Sequence, residues 1–295
     1  MKEIADILRA IAARDDAFYA LATLVRATGS SYRRPGARML IRADGATAGS
    51  LSGGCLEDEV AVCAREILRT GEPQLMEFDT RLRFGCHGKI EIFVERLPAR
   101  FFAEMAARFH GREHFGIATH FEAEPRQSVL LDDKTPTPDA FVQEIEPQIA
   151  LLIFGDGPDS EPLRTLAKTL GWKVASSESP LAFDARTAAI VKTHNYGRDF
   201  VALRQLLPRG LRYVGLLGPR QRRDQLVHAL LEEGVAITSQ FFAPAGLDLH
   251  ADTPEEIALS IITEIQTVFA GGSGASLRNR KVPIHEIAAC TASPR

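Results

Sequence analysis

The sequence predicts an α/β protein in two parts: an N-terminal α+β domain, then a doubly wound domain built on a parallel sheet. Three observations predict it. Ile149 to Phe154 (IALLIF) is a continuous apolar run, as found in parallel strands buried on both faces. From that run onward, strand, turn and helix patterns repeat, which is the order of a doubly wound sheet. Ahead of it, Lys89 to Glu95 (KIEIFVE) alternates, with Ile90, Ile92 and Val94 on one face, the pattern of a half-buried strand.

Taken in order, Met1 to Arg14 places Ile4, Ile7, Leu8 and Ile11 on one helical face. Ala17 to Ala27 and Ala37 to Arg42 read as strands separated by a Gly29 to Tyr32 turn and the Pro35-Gly36 break, and Asp44-Gly45 signals a hairpin. Leu56, Val60, Cys63 and Ile67 recur at helical spacing until Gly71 stops the run. Pro73 to Phe78 is an edge strand, Arg100 to His110 a helix, and Phe115 to Phe121 and Ser128 to Leu131 two more strands. The acidic, proline-containing stretch after Leu131 reads as a linker. The expected organisation is therefore a first domain over 1–131, a linker over 132–148, a second domain over 149–270 and a flexible tail over 271–295.

In the second domain, helices are expected over Leu163 to Leu170, Phe200 to Leu207 and Arg222 to Glu233. Strands are expected over Trp172 to Ser176, Ala188 to Thr193 and Tyr213 to Leu217. Thr253-Pro254-Glu255-Glu256 is a strong helix start, with Thr253 as N-cap and Pro254 at the first helical position.

Composition bounds the function. The 295 residues suit two domains, with 45% hydrophobic and 25% charged residues. A net charge of -3 offers no basic field for nucleic acid or an anionic membrane. No apolar run approaches the roughly 20 residues that span a bilayer, so a cytoplasmic protein is expected. The cysteines at 55, 63, 86 and 290 form no C-x-x-C pair and read as free thiols, with Cys63 on the apolar face of its helix.

The chemistry concentrates at Gly49-Ser50-Leu51-Ser52-Gly53-Gly54-Cys55-Leu56-Glu57. With Ser52 as N-cap, Leu51 and Leu56 form a hydrophobic staple and Cys55 falls at the third helical position. There the helix dipole and unpaired N–H groups favour a thiolate, and the glycines allow an anion to approach. Ser50, Ser52, Gly53 and Gly54 then suit an anion such as a phosphate, Cys55 a soft metal, and Glu57 the helix start. Cys86 and Arg38 are the other candidates in this half, Arg38 as an anion binder.

In the second half, Gly155-x-Gly157 follows a strand and opens a helix, the context of a dinucleotide site. Ser160 replaces the third glycine, however, and Asp156, Asp159 and Glu161 crowd the pyrophosphate position, so NAD(P) is not expected despite Glu178 at the ribose position. His194, with Asp199 nearby, lies past a strand's C-terminal end. Gly218 with Arg220, Arg222 and Arg223 forms a basic helix start.

The G-S-x-S-G-G-C-x-E turn resembles the signature of the XdhC/CoxI family, accessory proteins of molybdenum hydroxylases such as xanthine dehydrogenase. Gly155 to Leu163, Thr193-His194 with Asp199, Tyr213 to Gly218 with its arginines, and Ala243 to Asp248 leading into Thr253 to Ala258 resemble the family's C-terminal, Rossmann-like domain. One departure is His87, which stands after Cys86 where the family shows glycine. A Cys86–His87 metal pair is disfavoured because adjacent extended side chains point apart. The resemblance implies a chaperone that binds molybdenum cofactor (molybdopterin), assists its sulfuration and hands it to an apo molybdenum hydroxylase. Cys55, Glu57 and Cys86 are the implied reacting residues, with Cys55 the metal ligand. Arg38, Ser50, Ser52, Gly53, Gly54, Gly155, Gly157, His194, Asp199, Gly218 and Arg220 are the implied cofactor contacts. A cysteine desulfurase is the implied sulfur donor and a homodimer the expected assembly. The alternatives are an NAD(P)-dependent oxidoreductase and a non-catalytic docking scaffold.

Overall fold

The computed structural model describes residues 1–13, 16–29, 31–54, 56–79, 88–122, 124–132, 137, 139–176 and 183–280. Cys55, Cys86, His87, Glu178 and Cys290 lie outside the described residues. The chain forms two compact units, Met1–Gln148 and Ile149–Arg295.

The first unit is built on an antiparallel sheet in the order β3-β2-β1-β5-β4, with β1 Phe18–Gly29, β2 Arg38–Ile41, β3 Thr47–Gly49, β4 Gln74–Asp79 and β5 Gly88–Pro98. Side chains alternate across it. Ala20, Ala22, Leu24, Met39, Ile41, Ile90, Ile92 and Val94 face α2 (Glu57–Thr70), which contributes Val60, Ala64 and Ile67. Tyr19, Leu21, Leu40 and Leu97 face α1 (Lys2–Ala12) and α3 (Ala99–His110) on the other side. Phe115, Ile117 and Ile145 join that second cluster from a smaller sheet, β7-β6-β8, made of β6 Phe115–His120, β7 Ser128–Leu131 and β8 Ala140–Ile145. Cys63 packs against the α2 cluster as expected, and burial pushes its thiol pKa up.

Two expectations for this half are corrected. The acidic stretch 132–148 is not simply a linker, because Ala140–Ile145 pairs antiparallel with β6 from Phe115↔Ile145 to His120↔Ala140. Its alternation (AFVQEI) buries Ile145 while Glu144 stays exposed. Nor is β5 half-buried throughout: Ile90, Ile92 and Val94 share a covered face and Lys89 is exposed, as expected, but the opposite face closes from Phe93 onward. It lies between β1 and β4, and Phe93, Glu95 and Leu97 are covered as fully as Ile92 and Val94. The Glu95 carboxylate is accommodated by the Ser128 N–H (2.7 Å) and hydroxyl (2.5 Å), and that hydroxyl also meets Thr119 Oγ1 at 2.9 Å. Burial still pushes Glu95 up to about 7.

Arg38 is corrected as well. It is the first residue of β2 and fully buried, not a surface cation awaiting an anion. Its guanidinium donates to the Gly36 carbonyl and to Gln143 on β8, and its backbone N–H donates to Glu3 Oε1 (2.6 Å). Gly36 (φ +98) makes this possible, since a Cβ there would collide with the Gln143 amide. Desolvation lowers the Arg38 pKa to about 10, and its Nε and Nη2 meet no acceptor among the described residues.

The second unit is a parallel sheet in the order β10-β9-β11-β12-β13. Its strands are β9 Ala150–Phe154, β10 Lys173–Ser176, β11 Thr187–Val191, β12 Tyr213–Leu216 and β13 Phe241–Phe242. Leu151, Ile153, Ala188 and Ile190 face α4 (Ser160–Thr169) and α7 (Pro254–Ala270). Leu152, Ala189, Val191 and Val214 face α5 (Tyr196–Leu206) and α6 (Arg220–Glu232). This is a doubly wound α/β sheet. Thr253 is the N-cap of α7 and Pro254 its first residue, as expected; Glu256 completes a capping box, and Gly271 closes the helix in the left-handed conformation. In the tail, Leu277–Asn279 is a short 3-10 turn, and 281–295 lie outside the described residues.

Replacing Arg38 by Ala leaves Gln143 and the Gly36 carbonyl without their buried donor, and Glu95 and Glu3 without the field of a nearby cation. The expected cost is about 3–5 kcal/mol, read from the urea unfolding midpoint. A loss below about 1 kcal/mol would mean the guanidinium does not organise this core.

Candidate functional site

The conspicuous turn follows β3. Gly49 (φ +88) is required there, because a Cβ would run into the Arg38 carbonyl of the neighbouring strand. Beyond it the chain is gathered by one carboxylate. Glu57 Oε1 accepts from the Ser50 hydroxyl (3.0 Å), the Leu51 N–H (3.2 Å) and the Ser52 N–H (2.8 Å). Its Oε2 accepts from the Ser52 hydroxyl (2.7 Å) and the Leu56 N–H (3.1 Å). These bonds to the ionised form outweigh the opposing effect of desolvation and hold Glu57 at a pKa of about 2.

This arrangement corrects the reading of Ser52 as N-cap. The helix begins at Glu57 with Leu56 at the cap, so Leu51 and Leu56 are both buried but do not occupy staple positions. The Ser50 and Ser52 hydroxyls and the Leu51, Ser52 and Leu56 N–H groups, expected to hold an anion, serve an internal carboxylate instead, and the Gly54 N–H bonds Ser52 Oγ. Glu57, Asp58 and Glu59 also compensate the positive end of α2. What remains open is the rim at Gly53 and Gly54, both exposed, where a Cβ would meet nothing within 4 Å. Cys55, next in the chain, is outside the described residues.

In the second unit the sheet edge draws several candidates together. Gly155 (φ +107) lets the end of β9 pass close to the Lys192 carbonyl and Thr193, which a Cβ would strike. Around Gly157 (φ +147), a Cβ would lie 3.1 Å from Asp159 Oδ1, 3.4 Å from Lys192 Nζ and 3.7 Å from His194 Nε2. Lys192 was missed by sequence reasoning. It is fully buried and pairs with Asp159 Oδ1 at 3.1 Å. The only sequence signal was a lysine directly after a buried apolar strand. The expected crowd of three carboxylates is corrected accordingly: Asp159 is buried and paired, while Asp156 and Glu161 are exposed.

His194 is exposed and adopts φ +56. Asp199 is buried and accepts from the Thr193 N–H (3.0 Å) and hydroxyl and from Arg222, so it fixes the turn before His194. Of the basic run after Gly218, Arg222 is engaged by Asp199 and Arg223 by Asp224 and the Ala243 carbonyl. Arg220, at the first position of α6, stays exposed. The strand order reverses between β9 and β11, the point where open α/β sheets bind ligands. A cavity of about 490 Å³ opens there, lined by Phe154, Gly155, Thr193, Asn195, Arg198 and Val201. Among the described residues no group of three His, Cys, Asp or Glu side chains could hold a metal ion. Among them too, no helix is long and apolar enough to cross a membrane.

Two family models match the chain: the XdhC and CoxI family over residues 12–79, and the XdhC Rossmann domain over 151–265. The chain belongs to the XdhC/CoxI family. A protein of Bacillus subtilis described as a probable xanthine dehydrogenase subunit is 29% identical, across 83% of this chain and 91% of its own length. The molybdenum cofactor insertion chaperone PaoD of Escherichia coli is 26% identical, across 84% and 82%. A crystal structure titled as a xanthine dehydrogenase from Bacillus halodurans shares the fold, with a TM-score of 0.77 and 23% identity over 94% of this chain and 98% of that one. In this XdhC-family chain the first match carries the Glu57 turn and the second runs from within β9 into α7.

Two expectations follow. Glu57→Gln keeps the side chain's shape but removes its charge, and should cost about 1–2 kcal/mol at pH 7, since the group is only half-buried. Because the folded pKa is depressed, this stability is present above the ordinary carboxylate pKa of 4.5 and is lost as pH falls toward 2. The gap between wild type and Glu57→Gln in denaturant titrations should therefore narrow between pH 7 and pH 3. NAD and NADP should bind weakly or not at all, because the start of α4 carries Glu161 and offers a pyrophosphate few donors: Ser160 N–H bonds the Gly157 carbonyl, and Pro158 and Pro162 have no N–H. Calorimetric titration giving a micromolar dissociation constant, about 8 kcal/mol, would overturn this.

Proposed function

We propose that this protein binds molybdenum cofactor, assists its sulfuration and delivers it to an apo molybdenum hydroxylase such as a xanthine dehydrogenase. The observation that carries the reading is the presence, in one chain, of both family stretches in order, together with a relative named as a molybdenum cofactor insertion chaperone over most of both lengths.

The residues fit such a cargo. Molybdopterin is a flat polar pterin with a phosphate and a sulfur-ligated metal. Cys55 supplies the soft donor, toward the metal or as the carrier of transferred sulfur, and the open backbone of Gly53 and Gly54 lets a flat group lie against the turn. Cys86 is a second thiol available for the same exchange. Glu57 acts by holding the turn in shape, with Ser50 and Ser52 as its partners. In the second unit, Phe154 and Val201 give the switch-point cavity an apolar wall, and Arg198 and Asn195 give it polar groups. Gly155 and Gly157 shape its approach, with His194 at its margin and Gly218 and Arg220 at the next strand end. A cysteine desulfurase is the sulfur donor in this scheme, a homodimer the working assembly and the cytoplasm its compartment.

The test is retention of cofactor. Purified protein is incubated with freshly released cofactor and gel-filtered, and the protein peak is assayed for molybdenum and for oxidised pterin. Both should co-elute with wild type, and Cys55→Ser should lose most of the molybdenum. A protein peak free of both from wild type would remove the proposal.

A further inference from the structure

At the end of α2 remote from the Glu57 turn, about 20 Å along the helix, the first unit contains a cavity of about 630 Å³. It is lined by Phe18, Gly71, Glu95, Arg96, Arg100 and Arg126, so three arginines converge on one space. They differ in how they are held. Arg96 is fixed: its Nη1 donates to the Leu68 carbonyl (3.1 Å), its guanidinium lies 4.9 Å from the Phe18 ring centroid, and Gly71 leaves room for it. Arg126 is braced by Glu124 through its Nε at 3.0 Å. Arg100 is exposed and makes no hydrogen bond or ion pair among the described residues.

A second feature points the same way. Arg100 is the second residue of α3, a 12-residue helix whose N-terminus opens onto the cavity through Pro98 and Ala99. Ala99 N–H is taken by the Ala17 carbonyl (3.0 Å). The following turn has no side-chain cap and no acidic residue, whereas α2 opens on three carboxylates and α7 on a capping box. The uncompensated positive end of a helix dipole and three guanidinium groups thus share one opening. The carboxyl on the wall, Glu95, is occupied by Ser128, and burial favours its neutral form.

We propose that this cavity is an anion site for a phosphorylated small molecule, its phosphate held by Arg100, Arg126 and the first turn of α3. Guanidinium forks match phosphate oxygens in pairs, and a helix N-terminus adds backbone donors to the same group. The site lies within the first unit and does not rest on the cofactor-chaperone reading.

Inorganic pyrophosphate, titrated calorimetrically into the full chain at low ionic strength, is the probe. Wild type should bind it, and Arg100→Ala and Arg126→Ala should each weaken binding about tenfold. Arg65→Ala, an exposed arginine on α2 outside the cavity, should change it by less than about twofold. Arg100 supports no other group among the described residues, so its variant should keep the wild-type unfolding midpoint. No heat at millimolar pyrophosphate, equal binding by Arg100→Ala, or a loss centred on Arg65→Ala would overturn the proposal. Cofactor retention is measured separately, so either reading can fail while the other stands.

Discussion

In both units a sheet is covered on its two faces, and every charge carried by such a sheet must then find a partner inside the protein. An isolated buried charge is far more costly than a paired one. Arg38 on β2 meets that constraint through the Gly36 carbonyl, Gln143 and the fields of Glu95 and Glu3, and Glu95 through Ser128. Lys192, at the end of β11, meets it through Asp159. These pairs join elements far apart in sequence: β2 to α1 and β8, β5 to β7, and β11 to the turn after β9. The small sheet that carries Gln143 and Ser128 is in this sense the lid over the charges of the larger one.

The same constraint decides which polar groups stay available to a ligand. The turn between β3 and α2 looks like an anion cradle in composition, but its donors converge on Glu57. An internal carboxylate does there what a bound anion would do, and it shapes the turn permanently. Openness is confined to the two glycines beside Cys55. At the edge of the parallel sheet, Asp199 ties the loop after β11 to α6 through Thr193 and Arg222. That leaves His194, Arg198 and Arg220 facing solvent around the point where the strand order reverses.

Much was legible from residues alone, and for a physical reason. Secondary structure and face selection depend on local periodicity, so α1, the body of α2, the strand character of β5, the IALLIF strand, the strand–helix alternation and the Thr253 helix start could be read directly. The family could be read as well, because its motifs are contiguous: the Gly49 to Glu57 turn, Gly155 to Leu163 and Tyr213 to Gly218 each lie in one short stretch. Partner choice over long sequence distances left no such trace. The strand Ala140–Ile145 hides in a proline-containing acidic stretch because only its pairing with β6 makes it a strand. Arg38 reads as an ordinary surface cation until β8 closes over it. Lys192 carries no local sign that Asp159, 33 positions away, awaits it.

The sequence by itself therefore determined the two-part α/β architecture, the covered faces of most elements and membership of the XdhC/CoxI family, because each is written in spacing or in a short motif. Only the tertiary structure decided which charged and hydroxyl groups are consumed within the fold and which remain open. Hydrogen-bond capacity is finite, and whether Ser52, Arg38 or Asp159 has any left depends on neighbours that the chain brings close only once it has folded.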